Sequence, residues 1–383
     1  MKTKIIILIF IITILMIGCN DNQHIVSEQT IPNSISENNY PKNTEDKFIP
    51  LNFTNQKAIW FPYMRFEDIL YEKSESEYRS AISNIFSEAC NKEINTVYFH
   101  VHPNGDSYYK SDLFPRGKYW NGNYDPLSIA LEEAHLQGIS LHAWINPFRM
   151  QTADEMRELN PKYIFKKWAD KPEEGHINIV ENRWYLIPSS NEVNELLILM
   201  VKEILSNYDV DGIHIDDYFY PTTSTSFDSI DYSKSCNQNI KEWRRNNIST
   251  IIKSLCYTTH SYSNRLKFGI SPQGNIANDM ENLYADVELW GSNKTFCDYI
   301  VPQIYYGFEN ETCPFKPTLS QWEELTKNSE VDLIIGLAEF KIGKEDKWAG
   351  EKGRNEWIKS PDIIKNQIDI VESSTAKGYA LYY

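Results

Sequence analysis

Gly212-Ile213-His214-Ile215-Asp216-Asp217-Tyr218 is the stretch on which the reading of the fold turns. Its apolar and polar residues alternate, so as a β-strand it shows Ile213 and Ile215 to one face and His214 and Asp216 to the other. Such a strand suits a barrel stave, with helices against its apolar face and a cavity on its polar one. Seven more runs of strand type surround it, at residues 58–63, 95–101 and 139–148 before it and 266–272, 298–305, 331–340 and 378–383 after it. Helical patterns lie between the runs. Residues 78–93 carry Ala81, Ile82, Ile85, Phe86 and Ala89 at helix spacing, and residues 192–208 carry Val193, Leu196, Leu197, Met200, Ile204 and Leu205. Asp125-Pro126 opens a further helix that Gly138 closes. Eight beats of strand and helix predict an α/β fold of the (β/α)8 TIM type. The rival, a doubly wound open sheet, would carry a Gly-rich phosphate turn after its first strand, and none follows residues 58–63.

Residues 150–185, after the third run, exceed an ordinary loop, and in a barrel such an insertion decorates the catalytic rim. The eighth run reaches the last residue, where a full (β/α)8 unit would continue into one more helix. Three readings stay open: that helix is missing, the upstream segment covers its flank, or the gene product is truncated.

Strand parity names the candidate lumen. Leu141, Ala143 and Ile145 belong under helices and leave His142, Trp144 and Asn146 inward; Val97, Phe99 and Val101 leave Tyr98, His100 and His102. Ser271 and Gln273 share a parity in the fifth run, as do Gln303 and Tyr305 in the sixth. These groups gather toward the carboxyl ends of their runs, the face on which barrels do chemistry. A lone inward His is more often a hydrogen-bonded core residue than a ligand, and His214-x-Asp216 is weak ground for a metal. HExxH, Gly-x-Ser-x-Gly and P-loop signatures are absent.

With 38 Lys plus Arg against 53 Asp plus Glu, the net charge of −15 repels phosphate backbones and sets nucleic acid aside as a partner. Aromatic residues make up 13% of the 383 residues, and rings in that number suit flat ligand faces as well as packing. Lys2 and Lys4 precede an apolar stretch over residues 5–17, broken only by Thr13 and too short to span a bilayer comfortably, so it reads as an export signal. It ends in Leu15-Met16-Ile17-Gly18-Cys19, which resembles the lipobox of bacterial lipoproteins, with Met16 a slight departure. On that reading residues 1–19 are the signal, Cys19 is lipidated, residues 20–52 are a polar tether and residues 53–383 the catalytic domain. The chain would then sit outside the cytoplasm, held to the bacterial cell membrane by its lipid. The alternative is a cleaved secretory signal with an incidental Cys. Cys90, Cys236, Cys256, Cys297 and Cys313 remain, an odd number without C-x-x-C, so neither a zinc knuckle nor a full disulfide framework is indicated.

The run from Asp209 through Asp216 and Asp217 to Tyr220-Pro221 resembles the family-10-like glycosyl hydrolase lipoproteins, formerly a domain of unknown function and similar to (β/α)8 glycosidases. Other segments agree in order: residues 101–111 with Asp106 and Tyr109, Leu113-Phe114-Pro115, residues 142–149 (HAWINPFR), Phe268-Gly269-Ile270-Ser271-Pro272, residues 298–305 (DYIVPQIY) and Gly336-Leu337-Ala338. The likeness runs from about residue 57 to the end. His102-Pro103 stands where many members have Arg-Pro, a departure that bears on how an anionic or acetamido group is held. The resemblance implies cleavage of glycosidic bonds in extracytoplasmic polysaccharide, peptidoglycan glycan strands being the leading candidate.

Such hydrolysis needs two carboxyl groups about the anomeric centre. Asp216 comes first, being inward at the end of the fourth run, in a Gly-x-x-x-Asp pattern similar to that of the nucleophile in amylase-like barrels. Asp217 leaves a regular strand on the opposite face, so it joins Asp216 only where the strand has ended; the close pair would then raise one pKa and make an acid. Glu309, beyond the sixth run, and Glu339, at the end of the seventh, are the other catalytic candidates. Glu339 ranks lower because it shares parity with Ile335 and Leu337, leaving Gly336 and Ala338 inward. Asp106, in a Pro-Asn-Gly turn, is either a turn former or a sugar ligand. Tyr63, Trp144, Tyr305 and Tyr306 are candidates for stacking on sugars; His142, Asn146, Arg149 and Gln303 for bonding hydroxyl, acetamido or carboxylate groups; His100, His102, His214 and Tyr218 complete the expected lining. No organic cofactor is called for and no metal site is assigned. Two readings compete with hydrolysis: a surface lipoprotein that binds glycan without cutting it, and a lyase or transglycosylase using the same groove.

Overall fold

The computed structural model describes residues 48–383. The expected export signal, Cys19 and nearly all of the expected tether lie outside the described residues. Twelve strands follow in chain order: β1 Gln56–Phe61, β2 Thr96–His102, β3 Ser140–Ile145, β4 Arg149–Thr152, β5 Ile177–Val180, β6 Arg183–Leu186, β7 Gly212–Ile215, β8 Lys267–Ile270, β9 Tyr299–Ile300, β10 Asp332–Leu333, β11 Ile335–Ala338 and β12 Gly378–Tyr382. Nine of them form one parallel sheet in the order β10-β9-β8-β7-β3-β2-β1-β12-β11. β10 and β11 are two halves of a single stave. β10 pairs with β9 and β11 with β12, while the Ile334 and Gly336 N–H groups reach the Ile300 and Pro302 carbonyls at 2.9 Å each. The ring thereby closes as eight staves, the barrel that the periodicity predicts.

The helices start where capping chemistry places them. Ser74 and Glu77 form a reciprocal capping box at the head of the helix Glu75–Asn91. The Asp125 carboxylate accepts the Leu127 and Ser128 N–H groups ahead of Pro126–Leu136, and Gly138 takes the left-handed φ of +71° that a side chain would resist.

Parity sorts the core into two shells. Ile59, Phe61, Val97, Phe99, Leu141, Ala143, Ile213, Ile215, Phe268 and Ile300 join the large cluster between staves and helices. Ala58, Trp60, Tyr98, Trp144, Tyr299, Val301, Ile334 and Ala380 form a second cluster inside the barrel. The alternation has two exceptions. The ladder shifts by one residue between His100 and His102, so His102 pairs with Ile145 rather than with the next inward residue. His102 consequently sits edge-on to Phe114 of the outer shell, which corrects its expected place in the lumen. Ala338 likewise joins the outer cluster, not the inward set.

The described part of the upstream segment does not cover the flank between β12 and β1. It runs beneath the amino-terminal ends of the staves, where the Leu51 N–H donates to Asp211 (2.6 Å) and the Asn52 amide to the Arg265 carbonyl (2.8 Å). Ile59, Phe61 and Tyr379 on that flank are buried nonetheless, and Lys57 bridges Glu93 (2.7 Å) and Glu372 (3.6 Å) at the ends of the two adjacent helices. At the opposite end, β4, β6 and β5 form a small antiparallel sheet within the insertion after β3, beginning at Arg149.

Candidate active site

β7 stops at Ile215, the last residue paired on both sides, with Ile145 and with Ile270. Beyond it the chain is released from strand geometry, and Asp216 and Asp217 both turn to the mouth of the lumen. Asp216 is 3% exposed; it accepts the Trp144 indole N–H (3.1 Å) on one oxygen and the Tyr218 N–H (3.3 Å) on the other. Asp217 is half-buried and accepts the Gln273 amide at 3.2 Å. Arg149, extended over the Tyr218 ring at 4.7 Å, lies close enough to pull on both carboxyls, and its buried Nε has no partner among the described residues.

The two carboxyls differ in environment. Burial first, then the charge of Asp217, pushes Asp216 well above the usual carboxylate range, against the opposing Tyr218 N–H, Trp144 and Arg149. Burial also raises Asp217, but the Gln273 and Gln303 amides and Arg149 draw it back. Unlike environments on adjacent carboxyls are what separates a proton donor from an anion at one pH.

Beneath them the lumen is filled with rings. The Trp60 indole N–H donates to His214 Nε2 (3.1 Å), which must therefore lack a proton. His214 Nδ1 then donates to the Tyr299 hydroxyl (3.2 Å), whose own proton goes to His142 Nδ1 (2.6 Å). Burial holds both imidazoles below their ordinary range, hence neutral, as this chain of donors requires. Gly269 leaves the space that the Tyr299 ring fills, since a Cβ there would run into it.

The structure sorts the expected residues into those at the mouth and those elsewhere. Arg149, Gln303, Tyr305 and Tyr218 surround the carboxyl pair, and Tyr63 stands edge-on to His100 at 5.5 Å. His100 stacks on Trp144 at 3.6 Å, and among the described residues neither of its nitrogens has a partner. Trp144, with that face covered, orients Asp216 rather than offering a sugar platform. Asn146 is fully buried and engaged, accepting from Trp144 (3.2 Å) and donating to the Pro103 carbonyl (3.1 Å). His142 and His214 face inward as parity requires, with the nitrogens just described spent on Tyr299 and Trp60. Asp106 takes the Asn104 N–H at 2.9 Å, the turn-forming role, and burial raises its carboxyl to about 6. Tyr306 stands beside Asp217, close enough to feel its charge.

The other two carboxylates are not brought to the pair. The Glu309 side chain is exposed, and its backbone N–H donates to Glu356 (3.0 Å). Glu339 begins a turn and acts on Tyr383, while Phe340 takes the lumen side against Tyr305 and Tyr382. Three neighbours of the site were not among the expected residues. Gln273 has the inward parity of Ser271, which by itself assigns it no role. Tyr382 has the parity of Ala380 and was legible on that ground. Asp279, fully buried with its Oδ1 on the Gln273 N–H (3.2 Å) and its Oδ2 unpartnered among the described residues, opens a short π-helical turn that no periodicity marks.

A closed (β/α)8 barrel with two carboxyls at the carboxyl ends of its staves defines a protein of the glycosidase class. The glycoside hydrolase domain of PgaB (BpsB) from Bordetella bronchiseptica superposes with a TM-score of 0.59 at 12% identity, covering 86% of this chain and 94% of that one. The α-amylase of Geobacillus thermoleovorans, complexed with acarbose, gives 0.52 at 9%, covering 87% and 71%. The chain belongs to the family Glycosyl hydrolase-like 10, whose model matches residues 55–351, and it is a glycosyl hydrolase. It is 31% identical to glycosyl hydrolase DigH of Escherichia coli (strain K12) over 312 residues, 72% of this chain and 69% of the relative. Glycosyl hydrolase YngK of Bacillus subtilis (strain 168) is 28% identical over 352 residues, 83% of this chain and 67% of the relative.

Proposed function

We propose that this glycosidase cuts the glycan strands of peptidoglycan, with Asp216 as the acid and Asp217 as the anion that faces the anomeric carbon. The observation that carries the chemistry is the unequal setting of two adjacent carboxyls at one mouth. Asp216, buried and beside a second carboxyl, is the one of the pair that binds a proton more firmly, and it gives that proton to the departing glycosidic oxygen. Asp217 is also raised by burial, but two amides and a guanidinium oppose the rise, so it is the readier of the two to give up its proton, and as the anion it stabilises the positive charge that develops on the ring, either bonding to it or activating a water. The positive charge of the partly exposed Arg149 guanidinium at the mouth favours a glycan that bears carboxylates, as muramoyl residues do, over a neutral glucan. The amino-terminal address and Cys19 would place this activity on the outer side of the cell membrane.

The test is incubation of the soluble 53–383 chain with purified peptidoglycan, with and without stem peptides, and with neutral β-glucans, followed by assay of new reducing ends. Cutting of peptidoglycan alone is expected, and NMR of the first product anomer tells whether Asp217 bonds or activates water. Binding without cutting by the wild type, or an Asp216→Asn protein as fast as wild type, would overturn the reading.

A further inference from the structure

Trp348 is 89% exposed, whereas the two residues that frame it are not: Asp346 is 4% exposed and Ala349 1%. The turn beneath the indole is pinned on every side. The Asp346 N–H donates to the Arg354 carbonyl (2.8 Å), the Asp346 carboxylate accepts the Trp348 N–H (3.2 Å), and the Ala349 carbonyl accepts the Glu311 N–H (3.0 Å) from the loop after β9. Lys341 then ties the turn to the mouth, donating to Asp346 Oδ2 and to the Tyr305 carbonyl, both at 2.8 Å. An indole left in water on a backbone held this firmly is a presented side chain rather than a frayed loop tip. It belongs to the loop after β11, on the same end of the barrel as Asp216 and Asp217.

We infer that Trp348 is an outlying sugar platform, stacking on a glycan ring several units from the bond that is cut, so that this glycosidase grips long strands better than short ones. The chemistry favours a sugar over a protein partner. Its chain neighbours Lys344, Glu345, Lys347 and Glu351 are exposed and charged, and with only Ile342 and Ile358 exposed as large apolar side chains in the same region, polar groups border the ring along the chain. A pyranose has one flat apolar face and a rim of hydroxyls, which suits a single ring surrounded by charged side chains. The inference rests on the glycan reading of the site and adds to it a preference for polymer.

The experiment compares wild type, Trp348→Ala and Trp348→Phe on long peptidoglycan glycan strands and on a tetrasaccharide cut from them. For Trp348→Ala, KM on long strands is expected to rise about tenfold, the equivalent of ~1.4 kcal/mol, with kcat unchanged and the tetrasaccharide kinetics unaltered. Trp348→Phe should recover most of the loss. In parallel, co-sedimentation of the Asp216→Asn protein with insoluble sacculi should weaken on adding Trp348→Ala. Unchanged KM on long strands, or equal loss on the tetrasaccharide, overturns the inference while leaving the glycosidase reading intact. Unchanged glycan affinity together with conversion of a dimer to monomer in sedimentation would make the indole an assembly contact and also overturn it. A wild type that neither cuts nor binds these strands removes the glycan reading and the platform together.

Discussion

Asp211 and Asp216 flank the same stave, one at its foot and one at its head, and the protein holds them in opposite ways. Asp211 is fully buried and saturated: its oxygens accept the Leu51 N–H (2.6 Å), the Leu141 N–H (2.7 Å) and His135 Nε2 (3.0 Å). Asp298 repeats the device at the foot of β9, accepting the Phe268 N–H and His260 Nε2 at 2.8 Å each. Burial works to raise Asp298, but those two donors prevail and keep it below the ordinary carboxylate range. At the head of the barrel the supply is poorer. Asp216 has two longer bonds and Asp279 an oxygen with none, and both are pushed well up, by burial first and by the charge of Asp217 second. A carboxylate that stitches neighbouring staves together needs every lone pair satisfied; one that must exchange a proton needs to be left wanting.

The sharpest test of this contrast is substitution at both ends. Asp216→Asn is expected to lower kcat by about a thousandfold or more without lowering the melting temperature. Asp211→Asn should leave kcat per folded molecule unchanged and cost about 2–3 kcal/mol of stability in urea, because the amide keeps one acceptor oxygen and turns an NH2 group toward one of the two N–H groups of Leu141 and Leu51. Equal destabilisation by the two substitutions would break the comparison.

Next in size is the pH profile. Activity should fall in acid as Asp217 takes a proton and fall in alkali as Asp216 gives its proton up, a bell in kcat/KM. Arg149→Met removes the cation that holds both carboxyls down and should move both limbs upward by about one pH unit; a profile that stays in place would separate Arg149 from the pair.

Asp279 offers a smaller effect of defined sign. Its folded pKa lies above the unfolded one, so its contribution to stability is full below the unfolded carboxylate pKa, near 4, and is lost as pH rises toward the folded value. Asp279→Asn, which keeps an acceptor for the Gln273 N–H, should therefore raise stability at pH 7 by about 1–2 kcal/mol and flatten its dependence on pH. Smallest is His260→Ala. Because Asp298 is held low, the clamp contributes above the unfolded pKa and fades as pH falls through the folded one. The substitution should cost about 1 kcal/mol at pH 7 and progressively less as pH falls through the folded pKa, as followed by chemical denaturation.

Eight staves, their order and the inward face of most of them follow from alternation alone, because the direction of a side chain on a strand is a local property with period two. That is why Asp216, Tyr305, Gln303 and Arg149 are legible as residues of one mouth, and why Trp60 and Tyr382 could have been added from their runs. What lies at the ends of the staves is not local. The release of Asp217 depends on β3 and β8 ceasing to pair beside Ile215, and the outward turn of His102 depends on one extra residue in β2 measured against its neighbour. Asp279 enters on a short helical turn that only the packing behind Gln273 brings back to the site. Sequence thus determined which residues could face the lumen, through the geometry of a single extended chain. Tertiary structure alone decided which carboxyls keep a proton there, because burial and hydrogen-bond supply are set by residues far apart in the chain.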